Sequence, residues 1–267
     1  MLKDITLGQY FPGNTIIHRL DPRVKIVAVV FYIAALFLAK NAVSYGIMII
    51  WLAGTIYLSK IKLKSLFRGL KPIVVIVIIT AILNLFYTSG DVLVKFWIFT
   101  ITKQGIRSAV FIVLRIVMLL LGTFLLTYTT APMNLTDGLE SLLGPLKKIR
   151  MPVHEMSMMM SIALRFIPTL IEETNKIMNA QKARGADFET GNIFKRAKAL
   201  VPILVPLFIS AFRRADELAV AMECRCYAGD NGRTKMKQLR MEGKDWTALA
   251  LCTAVTALVI TLGALGF

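Results

Sequence analysis

Residues 106–130 read IRSAVFIVLRIVMLLLGTFLLTYTT, a run in which Arg107 and Arg115 are the only charged side chains. A bilayer core asks for about 20 mainly apolar residues in a spanning helix, and this stretch supplies them with a margin. It predicts a transmembrane helix. On either side lie four further apolar runs, at 24–39, 42–58, 73–87 and 246–267. Together they predict an all-α membrane protein with about five transmembrane helices. Asp21-Pro22 opens the first, with an acidic side chain as N-cap acceptor and proline at the first helical position, where no donor is wasted. Asn41 and Ser44 predict a tight external turn.

The bulk properties agree. Of 267 residues, 56% are hydrophobic and the mean hydropathy is +0.65, too apolar for an ordinary soluble chain. The net charge of +16, from 32 basic and 16 acidic side chains, would suggest nucleic acid as a partner in a soluble protein. In an apolar chain it points instead to positive-inside topology and to anionic lipid or acidic protein partners; no nucleic acid is expected. Cys224, Cys226 and Cys252 make no disulfide framework. His18 and His154 are remote from the cysteines and from each other, so no metal spacing exists. The first ten residues lack the basic-then-apolar layout of a cleaved signal, and insertion is expected to use the first span itself.

Lys60, Lys62, Lys64, Arg68 and Lys71 crowd the loop between the second and third spans, whereas the first turn has only Lys40 nearby. The bias of basic residues toward cytoplasmic loops then predicts a cytoplasmic N-terminus, a cytoplasmic stretch between the fourth and fifth spans, and an external C-terminus. The expected organisation is 1–130 with four spans, 131–245 as a cytoplasmic domain, and 246–267 as the fifth span.

Three amphipathic helices are predicted in that cytoplasmic stretch, at 135–149, 153–184 and 199–225. Pro152 stops the first. The second carries Met156, Met159, Ala163, Phe166, Ile167, Leu170, Thr174, Ile177 and Met178 at helical spacing, with a kink expected at Pro168. The third carries Val205, Phe208, Ile209, Phe212, Leu218, Ala219 and Met222, with Pro202 and Pro206 early in it. Arg165, Glu172, Glu173, Arg213, Arg214, Asp216 and Glu217 would each be costly in hydrocarbon, so these helices read as interfacial or subunit-binding. Their apolar faces fit either a small bundle or a docking surface. The group Met156, Met158, Met159 and Met160 is equally consistent with core filling and with an adaptable contact surface.

Two arginine motifs close the longer helices: Ala183-Arg184-Gly185 and Cys224-Arg225-Cys226, separated by 225 − 184 = 41 residues. A cation near a helix C-terminus is favourable by roughly 0.3–1 kcal/mol, which explains one such arginine as a cap. The same pattern twice also suits two tips that each present a guanidinium for bidentate pairing with a carboxylate. Capping and docking both remain open on the residues alone.

The chain resembles the transmembrane T subunit of energy-coupling factor transporters, the vitamin and metal uptake branch of the ABC transporters. The likeness rests on Tyr10-Phe11-Pro12-Gly13-Asn14, on His18-Arg19-Leu20-Asp21-Pro22-Arg23, on Ala163-Leu164-Arg165-Phe166-Ile167-Pro168, and on Gln181-Lys182-Ala183-Arg184-Gly185. Ala221-Met222-Glu223-Cys224-Arg225-Cys226-Tyr227 is similar to the family's second Ala-Arg-Gly signature, with Cys224 for alanine and Cys226 for glycine. The glycine terminator is missing there, and Gly229 offers a turn a few residues later.

The resemblance implies a non-catalytic scaffold in a prokaryotic plasma membrane. Its two tips, at Ala183, Arg184, Gly185 and at Cys224, Arg225, Cys226, would insert into two ABC ATPase subunits. Its helices would hold one substrate-binding S subunit, with Met156, Met159, Met160, Phe166, Ile167, Phe208 and Phe212 as candidate docking residues. No cofactor is expected on this chain; ATP and magnesium would sit on the partner ATPases, in keeping with the absence of a G-x-x-x-x-G-K-[ST] phosphate loop. Two alternatives stand beside it. A stand-alone secondary transporter or channel would need polar residues converging at mid-membrane, for which Arg115 and Asn84 are the candidates, although snorkelling or interhelical pairing accounts for Arg115 as well. A membrane enzyme would need clustered acids or histidines.

Overall fold

The structure is a computed structural model and describes residues 10–39, 41–88, 91–96, 99–186, 188, 192–229 and 238–265. Short α1 (Ile16–Arg19) leads into α2 (Pro22–Leu38), α3 (Ala42–Ser59), α4 (Leu63–Leu70) and, through a 3₁₀ turn at Lys71–Ile73, α5 (Val74–Tyr87). An antiparallel hairpin follows, β1 (Val92–Phe96) and β2 (Phe99–Thr102), with Phe96 opposite Phe99. Then come α6 (Lys103–Thr129), α7 (Pro132–Leu143), a 3₁₀ stretch at Gly144–Ile149, α8 (Val153–Ala183), α9 (Ile193–Glu223) and α10 (Gly243–Leu265). The protein is an all-α membrane protein that carries one short hairpin.

Among the described residues, four helical segments are long and apolar enough to cross a membrane: Ala42–Ser59, Leu63–Tyr87, Lys103–Thr129 and Gly243–Gly263. With 17 residues, α2 lies at the short end of the spanning range of about 17–25. The third segment starts ten residues before the expected 73, because Pro72 is absorbed at the start of a 3₁₀ turn, where its missing N–H costs no α-helical bond. Along α5, Val75, Ile76, Ile79, Ile82 and Leu83 are exposed, as apolar side chains facing lipid would be.

The described residues form two compact units, one of residues 10–139 with 239–265 and the other of 140–238, the boundary falling within α7. In the first, Tyr32 and Leu36 of α2, Tyr45, Met48 and Leu52 of α3, Met118 of α6 and Val259 of α10 make the core. Gly122 permits this packing, since a Cβ there would overlap Tyr32 Cε1. Membrane helices use small residues in this way to approach closely. The Tyr32 hydroxyl then donates to the Met118 carbonyl at 3.0 Å.

Arg115 pairs between helices. Its Nε donates to the Tyr45 hydroxyl at 2.8 Å, its Nη2 to the Ala39 carbonyl at 3.2 Å, and its guanidinium lies 5.9 Å from the Phe37 and Tyr45 ring centroids. It thus satisfies a carbonyl that the end of α2 leaves open. Asn84 donates within its own helix, to the Thr80 carbonyl at 2.9 Å.

The helices between α6 and α10 differ from expectation at their ends. The first runs Pro132–Leu143 and passes into a 3₁₀ stretch at Gly144-Pro145, since proline lacks the donor and clashes with an α-helical carbonyl. Helix α9 begins at Ile193 rather than 199 and runs through both Pro202 and Pro206. Pro168 likewise lies inside a continuous α8.

Candidate functional site

The two arginine motifs end their helices in the same way. In α8 the Gly185 N–H donates to the Lys182 carbonyl at 3.0 Å and the Ala186 N–H to the Gln181 carbonyl at 3.0 Å, with Gly185 left-handed at φ +86°. In α9 the Cys226 N–H donates to the Glu223 carbonyl at 2.8 Å and the Tyr227 N–H to the Met222 carbonyl at 3.1 Å, with Cys226 left-handed at φ 55°. Both are the paired-bond termination that satisfies the last carbonyls of a helix. Arg184 and Arg225 therefore hold equivalent positions, each directly before the left-handed residue. Cys226 is the terminator, which leaves no need for the later Gly229. A non-glycine residue costs about 1 kcal/mol in this conformation, so Cys226→Gly is expected to raise the stability of the α9 end by up to that amount, read as slower amide exchange at 222–227.

Ala183, Arg184, Gly185, Cys224, Arg225 and Cys226 are all exposed, and among the described residues neither guanidinium has an ion-pair partner. The carbonyls of Ala180, Gln181 and Lys182 in α8, and of Val220, Met222 and Glu223 in α9, accept from backbone N–H groups, so these bonds of the cap do not involve the arginine side chains.

Further up the same helices, Glu173 of α8 accepts from the Ser210 hydroxyl and from Arg214 Nη2 of α9, the latter at 3.0 Å. The side chains of Arg214 and Glu173 are 35% and 23% exposed, enough burial to give the pair more weight than a free surface ion pair. Next to it a cleft of about 250 Å³ is lined by Phe166 and Leu170 of α8 and by Ala215, Leu218 and Met222 of α9. The spacing is symmetric. From Glu173 to Arg184 is 184 − 173 = 11 residues, and from Arg214 to Arg225 is 225 − 214 = 11, about 16 Å of helix each at 1.5 Å per residue. The crossing contact sits equally far from both tips.

Residues 13–236 match a family model described as cobalt transport protein, CbiQ. The chain is 52% identical over 264 residues to the energy-coupling factor transporter transmembrane protein EcfT of Clostridium kluyveri, covering 98% of this chain and 97% of that one. It is 56% identical over 239 residues to the protein of the same name from Acidaminococcus fermentans, covering 90% and 89%, and 46% identical over 265 residues to that of Bacillus subtilis, covering 99% and 100%. The chain belongs to the family of energy-coupling factor transporter transmembrane proteins. It is a multi-pass membrane component of such a transporter.

The apolar residues expected to dock a partner divide into two groups. Met156, Met159 and Met160 of α8 and Phe208 and Phe212 of α9 are exposed, together with Val205 and Ile209. Phe166 and Ile167 are half-buried, and Phe166 faces the α8–α9 cleft. The bundle reading thus fits Phe166, and the exposed residues are left outside the α8–α9 contact. Among the described residues no group of three His, Cys, Asp or Glu side chains converges as a metal site would require.

The spacing of residues gave no sign of a second polar cluster, in the membrane unit. Asp245 Oδ1 accepts from the Asp21 N–H at 2.8 Å and Oδ2 from the Glu242 N–H at 2.8 Å. The Lys25 ammonium donates to the carbonyls of His18 at 3.1 Å and Thr129 at 3.0 Å and to the Thr130 hydroxyl at 3.2 Å. Arg23 Nη2 donates to the Leu239 carbonyl at 2.7 Å. The motif from His18 to Arg23 thereby ties the starts of α2 and α10 to the end of α6. His18 itself bonds Thr15 through Nδ1 and the Phe11 carbonyl through Nε2. Burial lowers its pKa from the ordinary imidazole value, against the raising effect of the Phe11 carbonyl and with a smaller lowering from the Lys25 charge.

Proposed function

We propose that this chain is the scaffold that couples two cytoplasmic ABC ATPase subunits to a separate substrate-binding membrane subunit, and that Arg184 and Arg225 are its two points of contact with the ATPases. The observation that carries this reading is the equivalence of the tips. Two helices end with the same hydrogen-bond pattern and an exposed arginine in the same position, with no ion-pair partner among the described residues, and their equal arms meet at the Glu173–Arg214 contact. Two matched tips fit a two-fold pair of partners, as two subunits of an ATPase dimer would be. A guanidinium at each suits a carboxylate-lined groove. ATP and magnesium belong to those partners, and the chain itself is non-catalytic. The exposed Met156, Met159, Met160, Phe208 and Phe212 receive the substrate-binding subunit. The N-terminus and the stretch carrying α8 and α9 face the cytoplasm, and the C-terminus is external.

When the ATPase pair closes, the tips approach one another and the motion turns about the Glu173 contact. Glu173→Ala is therefore expected to leave the ATPase subunits bound while lowering solute uptake by about tenfold or more, since it frees Arg214 at the crossing. Uptake and ATPase activity measured on the reconstituted complex check this. The whole proposal is tested by purifying the chain in mild detergent. Co-elution of two ATPase subunits and a small membrane protein is expected; solute movement by the chain alone in liposomes would favour a stand-alone transporter.

A further inference from the structure

Among the described residues of the membrane unit lies a large, mainly apolar cleft. A cleft of about 440 Å³ opens among α1, α2, α3, α6 and α10, with Leu20, Val24, Val29, Trp51, Leu126 and Leu251 in its walls. Lys25 also borders it, but its three protons are already committed to His18, Thr129 and Thr130, so it has none to offer an occupant. At one end stands Lys244, which borders both this cleft and an adjoining recess of about 80 Å³ that Arg19 also lines. The Lys244 side chain is 68% exposed, with the Glu242 carboxylate 4.0 Å away. Asp245 lines the recess as well, but both its oxygens are held by backbone N–H groups. Trp246, next in sequence, is 63% exposed, and exposed tryptophan at a helix end marks the headgroup level of a bilayer.

We propose that this cleft binds one phospholipid, an acyl chain lying in the apolar part and the phosphodiester held between Arg19 and Lys244. The volume lies within the roughly 300–1,000 Å³ of small-molecule pockets. A partner helix fits it poorly: at a diameter of about 10 Å and a pitch of 5.4 Å, a single turn fills roughly 420 Å³, so the cleft would seat about one turn and no more. A flexible hydrocarbon chain fills the same space from the surrounding bilayer. Two basic side chains supply the charge that a phosphate recognises: Lys244 borders both the cleft and the recess, and Arg19 lines the recess, where the Glu242 carboxylate also stands.

Native mass spectrometry of the full chain, titrated with phosphatidylglycerol after delipidation, tests the assignment. A one-to-one adduct is expected. The double variant Arg19→Gln, Lys244→Gln should weaken it about thirty-fold, and Leu251→Trp, which fills the cleft from an exposed position, should abolish it; size exclusion checks that both remain folded. Equal retention by wild type and both variants overturns the proposal. A photoactivatable phosphatidylglycerol reconstituted with the assembled transporter gives a reading independent of the variants: labelling of 20–29 and 247–252 is expected. Labelling confined to other parts of the surface, or crosslinking of Leu251→Cys to a partner protein instead of lipid, overturns it equally.

Discussion

Arg184→Glu and Arg225→Glu are each expected to lower the affinity of the purified chain for the proposed ATPase partners by about 30-fold or more, and together to abolish uptake, without loss of membrane insertion. Truncating one partner of a close charge pair at an interface costs roughly 2–5 kcal/mol, and 2 kcal/mol is about 30-fold; reversal adds repulsion to that loss. The folded chain should tolerate both changes. Each arginine is exposed, and the terminating hydrogen bonds at Gly185, Ala186, Cys226 and Tyr227 are backbone to backbone. The macrodipole alone makes a different forecast: losing a capping cation should cost roughly 0.3–1 kcal/mol of local helix stability and leave assembly untouched. Co-purification, uptake and thermal unfolding of the same variants separate the two. Because the tips are equivalent, the single variants should fall by similar factors. Arg184→Lys and Arg225→Lys keep the charge but not the planar fork, and they should recover part of the binding if bidentate pairing is the mode of contact. Wild-type assembly and uptake in the double reversal would falsify the coupling role.

The spanning helices and both tips were legible because their signals are local. Residues 106–130 declare a membrane helix by length and apolarity, Asp21-Pro22 declares a helix start, and Arg184-Gly185 a helix end. Signals that depend on distant partners were not. Asp245 meets Asp21 across 224 residues, and neither side chain announces the other. Cys226 has no intrinsic preference for the left-handed region, so only the backbone bonds at 226 and 227 identify it as the counterpart of Gly185. The early start of α9 was hidden by Pro202 and Pro206, which read as helix breakers but are carried within the helix. The hairpin at 92–102 lies between two spans and is too short to stand out. The equal arms follow from a contact, Glu173 with Arg214, that gives meaning to the 41-residue interval only once the two helices are seen to meet there: 214 − 173 repeats 225 − 184.

Asp245→Ala is expected to destabilise the membrane unit by about 3–6 kcal/mol. Asp245 is 3% exposed, and its carboxylate serves two helices at once. Through Oδ2 it accepts from Glu242, the residue that precedes α10, in the manner of the acid that closes a capping box. Through Oδ1 it accepts from Asp21, the N-cap of α2, whose own carboxylate caps the Arg23 N–H at 2.9 Å. A hydrogen bond to a charged acceptor contributes roughly 1.5–3 kcal/mol, and its loss leaves a buried donor unpaired; two such bonds give the figure above. The change also removes one of the two carboxylates whose charge acts on Lys25, the other being Asp21. Asp245→Asn retains one oxygen and turns an amide donor toward the second N–H, so about half the loss should remain. Glu242→Ala is the control, since only its backbone N–H takes part and its side chain is 73% exposed; it should stay within about 0.5 kcal/mol. Thermal unfolding of the three variants in one detergent measures the series. Equal stability of Asp245→Ala and Glu242→Ala would show that the starts of α2 and α10 are held by apolar packing alone, and that the polar cluster adds nothing to it.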